Sequence, residues 1–192
     1  MSKRKADVVL VQEHGLRVED KSRLLRTARR YGYLAFAAFI PQTKTRGGTM
    51  ILIRWETFGL RPAHALKYST GFDGGFTVVA MPATDADIPP RSFASVYVPV
   101  HPRARCTFLR RLRAAHVMTQ HTIVGADRNT VADLSLDVRY PEGSETVYSN
   151  QHAHMWDRLM ADLGLRDVYR EVEGSKARMF TRLGHTVHTR ID

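Results

Sequence analysis

A succession of short apolar runs, each closed by turn-forming residues, sets the limits on how this chain can fold. Asp7-Val-Val-Leu-Val11 is apolar almost throughout, the pattern of a buried strand. Tyr33 to Ile40 and Thr49 to Arg54 read as strands separated by Pro41-Gln-Thr-Lys-Thr-Arg-Gly-Gly48, a loop rich in turn formers. Phe76 to Met81, Phe93 to Val98 and Thr122 to Ala126 add further strands, and the Pro82 to Pro90 stretch is too proline-broken for regular structure. Helical spacing occurs in three places. From about Glu19 to Tyr31 it aligns Leu24, Leu25, Ala28 and Tyr31, and Gly32 stops it. From Arg103 to about Met118 it aligns Phe108, Leu112 and Ala115. From roughly Ser149 to Leu163 it aligns Trp156, Leu159, Met160 and Leu163. The tail from Arg178 to Asp192 reads as a short hairpin with Gly184 at its turn. Many strands joined by turns, with few helices between them, is not the even alternation of a doubly wound sheet. It predicts an α/β sandwich, two packed and mostly antiparallel sheets with helices on the outside.

The chain has 192 residues, expected to form a single domain over 1–192, and 43% of them are hydrophobic. No apolar run approaches membrane-spanning length, and Met1-Ser-Lys-Arg-Lys-Ala leads straight into a strand rather than an export signal. Cys106 is the only cysteine, which excludes an intrachain disulfide and a cysteine-based zinc site. An intracellular, reducing setting, the nucleus included, is the simplest expectation, and no disulfide-linked partner is expected. The net charge of +10 favours a polyanionic partner, nucleic acid above all. Basic residues also serve plain solubility, so charge alone does not decide. The excess is mostly arginine, which forks onto phosphate oxygens better than lysine does.

Thr122-Ile-Val-Gly-Ala-Asp-Arg-Asn129 is an apolar run that ends in Asp127 and Asn129. Strand alternation would point both side chains the same way, one to hold a water and the other to donate and accept. Read alone, such a D-x-N is more often an Asx turn closing a strand. Glu13 also sits just beyond a buried strand, where a carboxylate suits a Mg²⁺ anchor or is simply solvated. Tyr97 and Pro99 close Phe93-Ala-Ser-Val-Tyr-Val-Pro99, placing a hydroxyl that either donates to a phosphate or packs as strand tyrosines usually do. Arg105 and Phe108 lie three apart in the next helix, the phenylalanine explained by packing alone. Arg190 and Asp192 share a face of the final segment, where a terminal Asp is normally solvated. The pairs His152/His154 and His185/His188 lack a third ligand at useful spacing and read as surface residues. Gly47-Gly48 and Gly74-Gly75 lack the helix and lysine of a phosphate-binding loop.

Taken in order, these pieces resemble the endonuclease/exonuclease/phosphatase, or DNase I-like, superfamily, and within it the endonuclease domains of LINE-type retrotransposons. The family's strand ending in Q-E is similar to Asp7-Val-Val-Leu-Val-Gln-Glu13, and its R-G-G strand start to Arg46-Gly-Gly-Thr-Met-Ile-Leu-Ile53. Its N-V-Y-x-P strand and following helix resemble Ser95-Val-Tyr-Val-Pro99 with Arg105 and Phe108, and its G-D-F-N motif resembles Gly125-Ala-Asp-Arg-Asn129. The LINE tail pattern resembles Leu165-Arg-Asp-Val-Tyr-Arg170, Phe180-Thr181 and Thr189-Arg-Ile-Asp192, and Leu136-Asp137 adds to it.

The resemblance implies a four-layer αββα sandwich and hydrolysis of a phosphodiester with Mg²⁺ (or Mn²⁺), most simply the nicking of duplex DNA through phosphate contacts. Glu13 would hold the metal, Tyr97 would donate to the phosphate and Asp127 would handle the attacking water. Asn129 would fix the phosphate or water, and Asp192 would match the aspartate that orients a catalytic histidine. Three departures stand out. Only six residues precede Asp7, too few for the family's opening strand, and the closing S-D-H segment does not appear before the end at Asp192. Arg128 replaces the phenylalanine of the core motif, where alternation would turn it away from Asp127 and Asn129. The expectation is therefore a domain incomplete at both ends, with the activity of this chain in question. A phosphatase or phosphodiesterase for small phosphorylated substrates, or an inactive nucleic-acid-binding relic, would carry the same core motifs.

Overall fold

A computed structural model describes residues 6–44, 46–59, 66–81, 91–131, 133–139, 153–174, 182–183 and 188–189. Its first half contains β1 (Val8–Gln12), α1 (Lys21–Arg30), β2 (Tyr33–Ala38), β3 (Thr49–Arg54), β4 (Tyr68–Gly71), β5 (Phe76–Ala80) and β6 (Ser92–Tyr97). There follow α2 (Pro102–Ala114), β7 (Thr122–Asp127), α3 (Leu134–Asp137), β8 (Val138–Arg139) and α4 (Ala153–Asp162). The last are α5 (Val168–Glu173), β9 (Arg182–Leu183) and β10 (His188–Thr189). The chain folds into two compact units, residues 1–97 with 121–126, and residues 98–120 with 127–192.

The first unit is built on two sheets. In one, β3 lies between β1 and β2 and pairs antiparallel with both, with Ile51 opposite Leu10 and Phe36. In the other the order is β4-β5-β6-β7, antiparallel from β4 to β6. Ser92 N–H donates to His121 O (3.3 Å) and Val98 N–H to Asp127 O (2.9 Å), the same offset at both ends. Strands β6 and β7 therefore run parallel. The sheets meet face to face where β3 lies against β5 and β6, and β1 against β6. Leu34, Ile51, Ile53, Val79, Met81 and Phe93 form the core between them. Ile51, Ile53 and Val79 are fully buried, each contributing roughly 1.5–3 kcal/mol of transfer free energy. Two buried threonines bond across the sheets, with Thr49 Oγ1 2.9 Å from Thr77 Oγ1, so neither hydroxyl is left unsatisfied.

Helix α1 packs on β2. Its apolar face is narrower than the spacing predicts: Ala28 is buried and Leu24 half-buried, whereas Tyr31 follows the helix at 58% exposure. Strand β4 was not predicted. Tyr68, Ser69 and Thr70 are all exposed, so no alternation marks it.

In the second unit, α2 packs on α4, and Phe108, Leu109 and Leu112 of α2 and Trp156 and Leu159 of α4 are buried. Helix α2 ends at Ala114, so Ala115, expected on its apolar face, is exposed instead. The short helices α3 and α5, also not predicted, are tied by Arg170, which donates to the fully buried Asp137 carboxylate. Asp167 caps α5 by accepting from Arg170 N–H at 3.2 Å. Strands β8, β10 and β9 form a small antiparallel sheet, and the β9–β10 pairing agrees with the expected tail hairpin. Gly184, the Pro82–Pro90 stretch, and Ser149 to His152 of the expected third helix lie outside the described residues.

Candidate functional site

In the first unit, the polar residues that end β1 and β6 converge. Gln12 Nε2 donates to Ser95 Oγ (2.9 Å) and to the carbonyl of Gly125 in β7 (3.1 Å), while Ser95 Oγ donates to Val11 O at 2.7 Å. Ser95 is fully buried, so this network fixes β1 across β6 and β7. At Gly125 the sheets approach closely, because a Cβ there would stand 2.9 Å from Leu10 Cδ1. One residue past β1, Glu13 takes a left-handed backbone (φ 55°) and presents an exposed carboxylate. The Tyr97 hydroxyl, at the end of β6, donates to Glu13 Oε1 at 3.3 Å. Sequence reasoning singled out Glu13 and Tyr97 but assigned no role to Gln12 or Ser95. A polar residue inside a strand ordinarily reads as solvent-facing, which hides a buried hydrogen-bonding pair.

The Arg46-Gly-Gly48 start of β3 lies beside this cluster. His14 N–H reaches Gly48 O at 3.4 Å, and Gly15 N–H reaches Gly47 O at 3.0 Å. Gly48 (φ +87°) has the imidazole of His14 where a side chain would begin, with a built Cβ 2.5 Å from His14 Cε1. Glycine is required there both by conformation and by space. His14 Nδ1 accepts from Leu16 N–H (2.9 Å), so Nε2 carries the proton and donates to Thr49 O (3.2 Å). Burial holds the imidazole below its ordinary value of 6.5, with its backbone hydrogen bonds pulling the other way.

The second unit holds the D-x-N cluster. Strand β7 ends at Asp127, and Asn129 adopts a left-handed conformation (φ 47°). The strand alternation expected to align Asp127 with Asn129 therefore stops one residue too early. Instead, Asn129 N–H donates to Asp127 Oδ1 at 3.0 Å, an Asx turn, and Asn129 Nδ2 donates to Val98 O at 2.8 Å. Arg105 is buried beneath the turn. Its Nη2 donates at 2.7 Å to both Val100 O and Asn129 O, and its Nε at 3.3 Å to Pro99 O. Arg105 thus holds the strand-end loops that carry Asp127, a role the sequence did not reveal. Arg128 is buried, and its positive charge acts on Asp157, whose carboxyl burial pushes above its ordinary range.

Asp192 and Arg190 lie outside the described residues, as do His152 and His185, while His154 is exposed on α4. Among the described residues no three His, Cys, Asp or Glu side chains gather as a metal cage. Mg²⁺ does not require one, because it keeps most of its waters and binds through one or two carboxylates plus substrate phosphates. The lone, exposed Glu13 carboxylate fits that donor set.

Neither protein-family models nor curated proteins match the chain. Solved structures do. The chain is similar to the AP endonuclease LMAP from Leishmania major, with a TM-score of 0.70 and 14% identity, over 93% of this chain and 64% of that one. It is also similar to the APE2 catalytic domain from Xenopus laevis, with a TM-score of 0.63 and 16% identity, over 97% of this chain and 72% of that one. The chain thus spans less than two thirds of the Leishmania enzyme. The fold shared with these two enzymes is the expected α/β sandwich, two mostly antiparallel sheets with flanking helices.

Proposed function

We propose that the protein is a divalent-metal-dependent phosphodiesterase that nicks duplex DNA. The observation that carries this reading is the exposed Glu13 carboxylate met by the Tyr97 hydroxyl at 3.3 Å, at the strand ends of a fold shared with two AP endonucleases. Glu13 would hold Mg²⁺ or Mn²⁺, which when bound supplies neutralisation of charge on the phosphate. The Tyr97 hydroxyl donates to a non-bridging phosphate oxygen. Asp127 takes the proton of the attacking water as the new P–O bond forms and the leaving oxygen departs. Asn129, whose amide is engaged with Val98 O, acts as a positioning residue that keeps Asp127 in its turn. Asp192 retains the role implied by the resemblance, orienting a histidine. A nuclear, intracellular setting goes with such a substrate.

The finer assignment, nicking by a LINE-type retrotransposon endonuclease, rests on the tail pattern. Two residues of that pattern have structural work, Asp167 in capping α5 and Arg170 in neutralising Asp137. The pattern therefore speaks more for a shared fold than for a shared target.

The test is hydrolysis of supercoiled plasmid, of a duplex carrying an abasic site, and of a small aryl phosphate, each with Mg²⁺ and with chelator. Mg²⁺-dependent nicking is expected, reduced roughly 10²–10⁴-fold by Asp127→Ala, the usual contribution of a positioned general base. Glu13→Gln combined with Asp127→Ala should lose little more than the worse single variant if both serve one step. Turnover of the aryl phosphate alone would establish a phosphatase. Duplex binding without any turnover would establish an inactive relic.

A further inference from the structure

We infer that the groove between α2 and α4 is a binding site for a phosphate-class anion, formed by none of the residues assigned to hydrolysis. The groove has a volume of about 200 Å³ and lies wholly within the second unit. Arg110 and Arg113 enter it from α2, and His154 and Arg158 from α4, above the buried Leu109 and Leu159. Both basic pairs sit at the spacing that stacks side chains on one helix face.

Arg113 and His154 each face a carboxylate, whereas Arg110 and Arg158 do not. Asp162 is taken by Arg113, with Oδ2 2.8 Å from Nε, a bond that also ties the two helices together. Asp157 is subject to the charges of Arg128 and His154. Among the described residues no carboxylate lies within ion-pair distance of Arg110 or Arg158. A helix-dipole explanation covers Arg113, in the last turn of α2, but neither Arg110 nor Arg158. Bringing unpaired guanidiniums to one groove is unfavourable until an anion enters, and phosphate oxygens match their forked donors.

Size narrows the ligand further. The groove is smaller than the roughly 300–1,000 Å³ of pockets that enclose whole small molecules, so it suits one phosphoryl group rather than an entire nucleotide. That group could belong to a nucleic-acid backbone, in which case the groove adds a contact to the endonuclease proposed above, or to a small phosphorylated ligand. The shared chemistry is the doubly forked phosphate contact.

The experiment uses the full chain in chelator, so that hydrolysis plays no part and its absence leaves the result intact. Inorganic pyrophosphate is titrated by calorimetry, and a labelled duplex oligonucleotide by anisotropy over a salt series. Arg110→Gln and Arg158→Gln are compared with Arg29→Gln, which removes an exposed charge on α1. Both groove side chains are exposed, and circular dichroism confirms that each variant is folded. Each groove substitution is expected to weaken pyrophosphate binding roughly tenfold, in keeping with one charge-assisted contact. Each should also lower the salt slope of duplex binding by about 1. Loss for both probes, or for the duplex alone, assigns the nucleic-acid backbone. Loss for pyrophosphate alone assigns a small phosphorylated ligand. Unchanged binding of both probes, or an equal loss in Arg29→Gln, overturns the site.

Discussion

At Gly125 a hydrogen atom in place of a side chain decides how closely β7 approaches β1. A Cβ there would lie 2.9 Å from Leu10 Cδ1 and 3.0 Å from Leu10 Cβ, and the second of these atoms cannot rotate away. The glycine of the Gly125-Ala-Asp-Arg-Asn129 motif thus has a packing reason separate from any chemistry. Gly125→Val should destabilise the protein by about 1–3 kcal/mol, the usual cost of overpacking, read as a lower urea midpoint. It should also disturb Gln12, whose amide bonds the carbonyl of the same residue. A midpoint unchanged in Gly125→Val would mean that the sheets can separate at little cost. The neighbouring Asp127 shows the opposite case, where the local reading and the functional one coexist. One carboxylate oxygen closes the Asx turn, and that same turn fixes where the carboxylate stands.

At the scale of elements, the junction of β1 with β3 depends on a neutral histidine. His14 accepts from Leu16 N–H and donates to Thr49 O, an arrangement that protonation of Nδ1 would break. Because burial depresses its folded-state pKa, the unfolded chain binds more protons just below 6.5. The stabilisation is complete above 6.5 and is lost as pH falls from there through the lower folded-state value. Urea midpoints of the protein should therefore decline as pH drops below 6.5, and His14→Gln should flatten that decline while lowering stability at neutral pH. Equal pH slopes in the two proteins would contradict the assignment. These elements also show what could be read from sequence. Strands β1, β3 and β5 were legible because they are mostly apolar runs bounded by turn formers, and Glu13 and Tyr97 because they end such runs. Strand β4 escaped because its exposed residues carry no periodicity. Asn129 was misplaced because alternation was extended past the last strand residue. Ser95, Arg105 and the Asp137–Arg170 pair escaped because their partners lie far away in sequence.

For the whole molecule, the net charge of +10 is the property that separates a polyanionic substrate from a small one. Binding to a duplex releases condensed counterions, so its affinity falls as a power of salt concentration, with an exponent of about 0.9 for each phosphate contacted. A small phosphorylated molecule has no such atmosphere, and its binding responds only to ordinary screening. Arg23, Arg26 and Arg30 are exposed on α1; Arg23 is ion-paired to Asp20 at 2.7 Å, and among the described residues Arg26 and Arg30 meet no carboxylate within ion-pair distance. Among the described residues, the charge of Arg26 and Arg30 is therefore not spent on ion pairs. If duplex DNA is the substrate, KM for plasmid nicking should rise steeply with salt while kcat changes little, because the counterion term belongs to association rather than to the chemical step. Aryl phosphate hydrolysis, where present, should keep nearly the same KM over the same series. The comparison is made with one enzyme preparation and one metal concentration, so metal affinity is common to both substrates. Parallel salt dependence for the two would remove the argument from charge and leave the small-substrate reading the stronger one.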